Sequence, residues 1–193
     1  MTNTESKTEK SELKTGITIL GGLLAIMWGV ESIEWVLSTD WGRTYGILPR
    51  NPDGLWGLLL SPLLHGGFGH LIANTIPFAI LGGLMMLRGV NEFVKATIQI
   101  ALLGGLCVWI MGAANSYHIG ASGVIFGYMG FLLSIGIFER SLKGIAIALV
   151  AGFFYGGILW GVLPSEPGIS WEGHLFGFLA GIASAKVLAK NKE

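Results

Sequence analysis

The stretch Lys95–Glu139, KATIQIALLGGLCVWIMGAANSYHIGASGVIFGYMGFLLSIGIFE, decides the fold. Between its terminal charges lie 43 residues with no Lys, Arg, Asp or Glu. A helix needs about 20 apolar residues to cross about 30 Å of hydrocarbon, so this run is long enough for two. It breaks at Gly112-Ala113-Ala114-Asn115-Ser116-Tyr117-His118, a cluster of small and polar turn residues. Outward from it the pattern repeats. There are 34 uncharged residues between Asp53 and Arg88, and 22 between Lys143 and Glu166. Shorter runs of 16 (after Lys14) and 13 (after Glu172) can extend into interfacial residues whose polar ends snorkel. The expectation is an all-α, polytopic bundle of six transmembrane helices, at about 16–37, 68–87, 94–112, 120–139, 144–162 and 171–188. The fifth helix is expected to stop at Pro164-Ser165-Glu166-Pro167-Gly168.

Composition agrees. The 193 residues are 52% hydrophobic and 12% charged, against about 25% charged in an ordinary soluble domain. That excludes a disordered chain and argues against a water-soluble globule. Twelve basic residues balance twelve acidic ones. With no net positive charge, a nucleic-acid partner is excluded. The 31 glycines have no three-residue period, so they are not collagen. A single cysteine, Cys107, rules out an intramolecular disulfide and a Cys-rich metal site, and reads as a small core residue.

The zero net charge conceals an asymmetry. With six helices, ten of the twelve Lys and Arg fall on the side of the termini, and only Arg43 and Arg50 fall on the other. By the positive-inside rule both termini are cytoplasmic. Residues 1–15 read as a polar cytosolic tail, and 16–190 as the membrane domain. No cleavable signal is apparent, and a bacterial inner (plasma) membrane is the expected location. The loop Ser38–Gly67 contains Trp41, Trp56 and Leu58-Leu59-Leu60. It is too apolar for a solvated linker and reads as membrane-associated, packed on protein.

Polar side chains inside such a bundle are candidates for function. His70 and Asn74 are four apart and share a helix face. Two donors aimed at one point could hold an oxyanion, or the pair could simply join two helices. Gly120-Ala121-Ser122-Gly123 opens the fourth helix with a serine that is easily approached; alone, such a serine is usually a packing residue. It is not the nucleophile elbow of soluble hydrolases, since Val124 stands where that motif has Gly. Gly173-His174 opens the sixth helix, where Gly173, Gly177 and Gly181 recur every four residues, and the fourth helix carries Gly123 and Gly127. Two such stripes can pack together and bring the His174 imidazole to the Ser122 hydroxyl, although His174 alone could be an interfacial histidine. Serine is inert until a base takes its proton, and histidine suits that work. No carboxylate is placed to orient His174, so the expectation is a Ser–His dyad.

These residues resemble the rhomboid family of intramembrane serine proteases. The resemblance runs from about His65 to Gly181 and rests on His70-x-x-x-Asn74, Gly120-x-Ser122-Gly123 and Gly173-His174 with Gly177 and Gly181. It implies a six-helix rhomboid-like bundle with Ser122 as nucleophile and His174 as general base. It further implies that His70, Asn74 and the Ser122 amide stabilise the oxyanion, and that His65 has a structural role in the first loop. The implied partners are transmembrane protein substrates and the lipid bilayer; no cofactor or metal is implied, and no feature specifies an oligomeric state. The sequence departs from the family at Gly57, where Arg often follows the first-loop Trp; at Phe126, where many bacterial members have Tyr beside the histidine; and at Gly173, often Ala.

Three other readings compete. A non-catalytic rhomboid-like protein could bind transmembrane helices. A small transporter would use Glu31 and Glu34 on the first helix, but no inverted repeat is visible. A metalloprotease would need His65, His70, His118 and His174 as ligands, yet no His-Glu-x-x-His is present.

Overall fold

The computed structural model describes residues 3–114, 116–164 and 170–190, so residues 165–168 of the expected stop lie outside the described residues. Among the described residues six long helices carry the fold: α1 (Asn3–Leu37), α2 (Phe68–Met86), α3 (Val90–Met111), α4 (Ser122–Phe138), α5 (Leu142–Tyr155) and α6 (Trp171–Lys190). The all-α bundle expected from the charge-free runs is what forms. Among the described residues the only β pairing is an isolated bridge between Ile47 and His118.

Several boundaries differ from expectation: α3 begins at Val90 instead of about residue 94, and three others have local reasons. The first helix begins at Asn3 instead of residue 16. The Lys and Glu residues of the polar segment are good helix formers, and nothing there terminates a helix. α4 begins at Ser122, because Gly120 takes φ +107°, a conformation a right-handed helix cannot include. α5 gives way after Tyr155 to a 3-10 turn, Gly156–Val162, starting at the adjacent Gly156 and Gly157.

Four segments are long and apolar enough to cross a membrane among the described residues: Ser11–Leu37, Phe68–Met86, Val90–Met111 and Leu142–Val162. α4 has 17 residues, about 25 Å at 1.5 Å per residue. It need not match the bilayer, because it is packed by α2, α3, α5 and α6 and is buried along most of its length. Phe131, Leu132 and Ile135 of α4 join Phe78 and Leu81 of α2 and Phe93 and Ile100 of α3 in one core. Outward-facing apolar side chains, such as Leu149 and Phe153 of α5 and Trp160 of the 3-10 turn that follows it, are exposed, as lipid-facing positions should be.

The glycine stripes meet. A Cβ on Gly177 would strike the Gly123 carbonyl, and one on Gly181 would strike the Gly127 carbonyl. Gly104 of α3 closes on the same place, where a Cβ would lie 3.2 Å from the Gly177 Cα. Three backbones therefore approach at a depth where any side chain would separate them.

The loop between α1 and α2 is packed on protein as expected. Ile47, Ser61, Leu64 and His65 are buried, while Leu55, Trp56 and Leu59 face outward. Glu34 Oε1 accepts from the Trp41 N–H at 2.6 Å, which ties the loop's first turn to α1. Arg50 donates from Nη1 to the carbonyls of Ile110 (3.0 Å) and Gly112 (2.9 Å), a cation on the otherwise unsatisfied C-terminus of α3. Trp109 Nε1 returns a bond to the Asn51 carbonyl. Arg50 thus supplies the anchoring that position 57 does not. No side chain fits at 57, where a Cβ would run into the Gly46–Ile47 backbone.

At the opposite end, Arg88 follows α2 with its side chain 5% exposed. It donates from Nε to Glu92 and from Nη2 to Glu139, at 2.5 and 2.6 Å, and lies over the Phe131 ring. Lys143 Nζ caps the Leu87 carbonyl at 3.1 Å.

Candidate active site

Ser122, His174, His70, Asn74 and Phe126 line one cavity of about 520 Å³, opened between α2, α4, the 3-10 turn and the start of α6. Helix spacing and the glycine junction account for their convergence. Ser122 is the first residue of α4, and His174 lies in the first turn of α6, directly above the Gly123–Gly177 contact. His70 and Asn74 stand one turn apart on α2.

His174 is fixed on two sides. Its Nδ1 pairs with the Gly161 carbonyl at 2.8 Å. A carbonyl only accepts, so Nδ1 carries the proton and Nε2 is left as the basic nitrogen. Its ring stacks on Phe126, with centroids 4.2 Å apart and planes 4° from parallel. Gly161 is the group that sequence reading missed. Its contribution is a backbone carbonyl, which any residue type supplies and no motif marks. Its lack of a side chain matters, because a Cβ there would sit 2.8 Å from Phe126 and 3.3 Å from His174 Nδ1.

His70 Nδ1 accepts from the Gly66 N–H at 3.4 Å, which puts the proton on Nε2. The ring edge lies over Gly120: a Cβ at Gly120 would be 2.8 Å from Nε2 and 3.7 Å from Ser122 Oγ. Only glycine leaves room there, and its left-handed backbone turns the chain into α4. The Asn74 amide donates one N–H to the His70 carbonyl at 2.8 Å and has a second to offer.

The amides before Ser122 are taken. Gly120 N–H donates to the Ser61 carbonyl at 2.9 Å, and Ala121 N–H to His65 Nε2 at 3.5 Å. Ser122 opens the helix, so its own N–H has no intrahelical acceptor and stands at the positive end of the α4 dipole. His65 is buried, and its pKa is pushed down to about 4, by burial first and the His70 charge second. It is therefore a neutral acceptor joining the first loop to the segment before Ser122.

Among the described residues no hydrogen bond joins Ser122 to His174; the two share a cavity. Catalytic hydrogen bonds of ligand-free enzymes commonly close only when substrate binds. No group of three His, Cys, Asp or Glu able to hold a metal occurs among the described residues.

Fold and cavity together define a multi-pass helical membrane protein with a serine, two histidines and an asparagine gathered at one end of the bundle. Residues 52–191 match the model of the Rhomboid domain, and the chain belongs to the rhomboid family. It is 44% identical to the uncharacterized protein Rv1337 of Mycobacterium tuberculosis, over 97% of this chain and 81% of that protein. It is 28% identical to the candidate rhomboid protease YdcA of Bacillus subtilis, over 92% of this chain and 90% of YdcA. With the rhomboid protease GluP of Bacillus subtilis the identity is 26%, over 72% of this chain and 27% of GluP.

Proposed function

We propose that this protein is an intramembrane serine endopeptidase that cuts transmembrane segments of other membrane proteins with a Ser122–His174 dyad. The observation that carries the reading is His174 itself. Its Nδ1 proton is held by Gly161 and its ring is held by Phe126, leaving Nε2 as a base beside the cavity that Ser122 lines.

The chemistry follows from these atoms. Ser122 Oγ attacks the scissile carbonyl while His174 Nε2 takes its proton. The carbonyl electrons move onto oxygen, which is met by the Ser122 N–H, His70 Nε2–H and the free Asn74 N–H. His174 returns the proton to the leaving amine, and water, deprotonated by the same nitrogen, hydrolyses the acyl-enzyme. A substrate helix hides its carbonyls in hydrogen bonds, so a locally unwound segment is the form that fits.

In the membrane both termini face the cytoplasm, residues 1–15 form a cytosolic extension of the membrane domain 16–190, and the cavity opens toward the outer face of a plasma membrane. The lysine and arginine distribution supports this orientation.

The test is cleavage of a single-span model substrate in proteoliposomes. Cleavage is expected to survive a chelator and to be abolished by Ser122→Ala and by His174→Ala. Chelator-sensitive cleavage that persists in Ser122→Ala contradicts the proposal. A folded protein that binds substrate without cutting it supports the helix-binding alternative.

A further inference from the structure

Both ring nitrogens of His118 are bound to hydroxyls, and none of these groups takes part in the proposed chemistry. Nδ1 pairs with Ser170 Oγ at 2.5 Å, and Nε2 with Ser116 Oγ at 3.0 Å. His118 is buried, and its backbone exchanges two hydrogen bonds with Ile47, at 2.9 and 3.0 Å.

Proton accounting fixes the direction of the chain. Ser116 Oγ–H donates to the Ala113 carbonyl at 2.8 Å, so toward His118 it can only accept. The His118 proton is therefore on Nε2, and Nδ1 accepts from Ser170 Oγ–H. Ser170 Oγ in turn accepts from the Gly173 N–H at 3.2 Å, and the Ser170 carbonyl accepts from the His174 N–H at 3.2 Å. Each proton in the chain has one acceptor. Burial lowers the pKa of His118, with Glu172 opposing, in keeping with the neutral ring. Glu172 Oε1 adds a second tie across the same junction, accepting from the Ala113 N–H at 3.3 Å.

Three elements therefore meet at one residue: the first loop through the Ile47 pairing with the His118 backbone, the segment that runs into Ser122 four residues later, and, through the imidazole, the cap of α6 one turn before His174. Deeper in the bundle, α4 and α6 touch through glycines. These glycines allow close approach but supply no directional side-chain bond along the contact. The start of α6 is gripped by directional bonds at Ser170, Glu172 and His174, and the Ser170 bond is the one that reaches the His118 ring.

We propose that His118 is a positioning residue: its bond to Ser170 sets the first turn of α6 against the segment leading into α4, and so sets His174 against Ser122. The proposal rests on the Ser–His protease reading and adds a residue to it. His118 touches neither substrate nor the reacting atoms. Its effect is on geometry, where a misplacement of about 1 Å can cost about 100-fold in rate.

The test compares wild type, His118→Leu, Ser170→Ala, the double variant and His118→Asn in proteoliposomes with the model substrate. kcat and KM are measured separately, alongside the rate of inactivation by a fluorophosphonate and the thermal midpoint. His118→Leu and Ser170→Ala are each expected to lower kcat and the inactivation rate by roughly 10- to 100-fold, with KM within about twofold. The double variant should be no worse than the poorer single one, since both break the same bond. In His118→Asn, Oδ1 can replace Nδ1 as acceptor for Ser170, so most of kcat should return. An unchanged kcat in His118→Leu, or losses that follow the thermal midpoint and are not restored by His118→Asn, overturns the proposal while the protease reading stands. A folded wild type that neither cleaves nor reacts overturns both.

Discussion

The two ends of the bundle handle buried polar groups in opposite ways. At the end bearing Arg88, the charges are matched: the guanidinium is clasped by Glu92 and Glu139 and covers the Phe131 ring. At the end bearing Ser122, the His118 ring is fully bonded, but the polar groups lining the Ser122 cavity are oriented and not consumed. His174, His70 and Asn74 each use one hydrogen-bonding atom on the backbone and keep another toward the cavity. Desolvation penalises polar groups at both ends. Pairing offsets it at the first and produces a structural clasp. At the second, unused donors and a basic nitrogen remain for a substrate. Bonding capacity left over at a cavity is what a substrate can use.

Substitutions at the two ends should therefore separate stability from rate. The largest effect is expected at the clasp. Arg88→Met removes the cation from two carboxylates and should cost about 3 kcal/mol or more of stability, seen as a lowered thermal midpoint in detergent. The folded fraction should keep its kcat; a selective loss of kcat at full stability would break the contrast.

Next come the proposed oxyanion donors. His70→Ala or Asn74→Ala should each lower kcat by about 10²–10³, equivalent to about 3–4 kcal/mol of transition-state stabilisation. Their thermal midpoints should move less than that of Arg88→Met. Phe126→Ala should cost roughly tenfold in kcat, in line with a stacking contact of about 1 kcal/mol, and Phe126→Tyr should retain activity.

The smallest expected effect is on pH. His65 is neutral in the folded protein down to about pH 4, whereas in the unfolded chain it binds a proton below its ordinary value near 6.5. The unfolded state then holds more protons, so stability is fully present above pH 6.5 and is lost as pH falls toward 4. The loss attributable to His65 is about 1 kcal/mol by pH 5.5. The thermal midpoint should fall over that range, and less steeply in His65→Gln. A midpoint that rises on acidification would contradict this environment for His65.

Much of the fold was legible because lipid imposes simple requirements. Charge-free length placed the helices, and four-residue glycine spacing on two helices anticipated the contact of Gly123 and Gly127 with Gly177 and Gly181. The illegible parts are those decided by backbone atoms. The Gly161 carbonyl that orients His174 has no side-chain signature. The first loop is anchored by Arg50, seven residues before the position where rhomboid relatives often carry arginine, because position 57 has no room for a side chain. Among the site residues, Ser122, His174, His70 and Asn74 could be singled out because polar side chains are conspicuous in an apolar chain. His118 could be counted but not interpreted, since its partners Ser116 and Ser170 are ordinary serines until the fold brings them together.

The central claim is that Ser122 is a nucleophile activated by His174, and the most direct measurement is covalent labelling. The reconstituted protein is treated with a fluorophosphonate and the modified residue is identified by mass spectrometry of its peptides. Modification at Ser122 is predicted, abolished in Ser122→Ala and reduced to background in His174→Ala while Arg50 and Arg88 and the fold they hold are left intact. Modification at another serine, or labelling of Ser122 that is indifferent to His174→Ala, would contradict it.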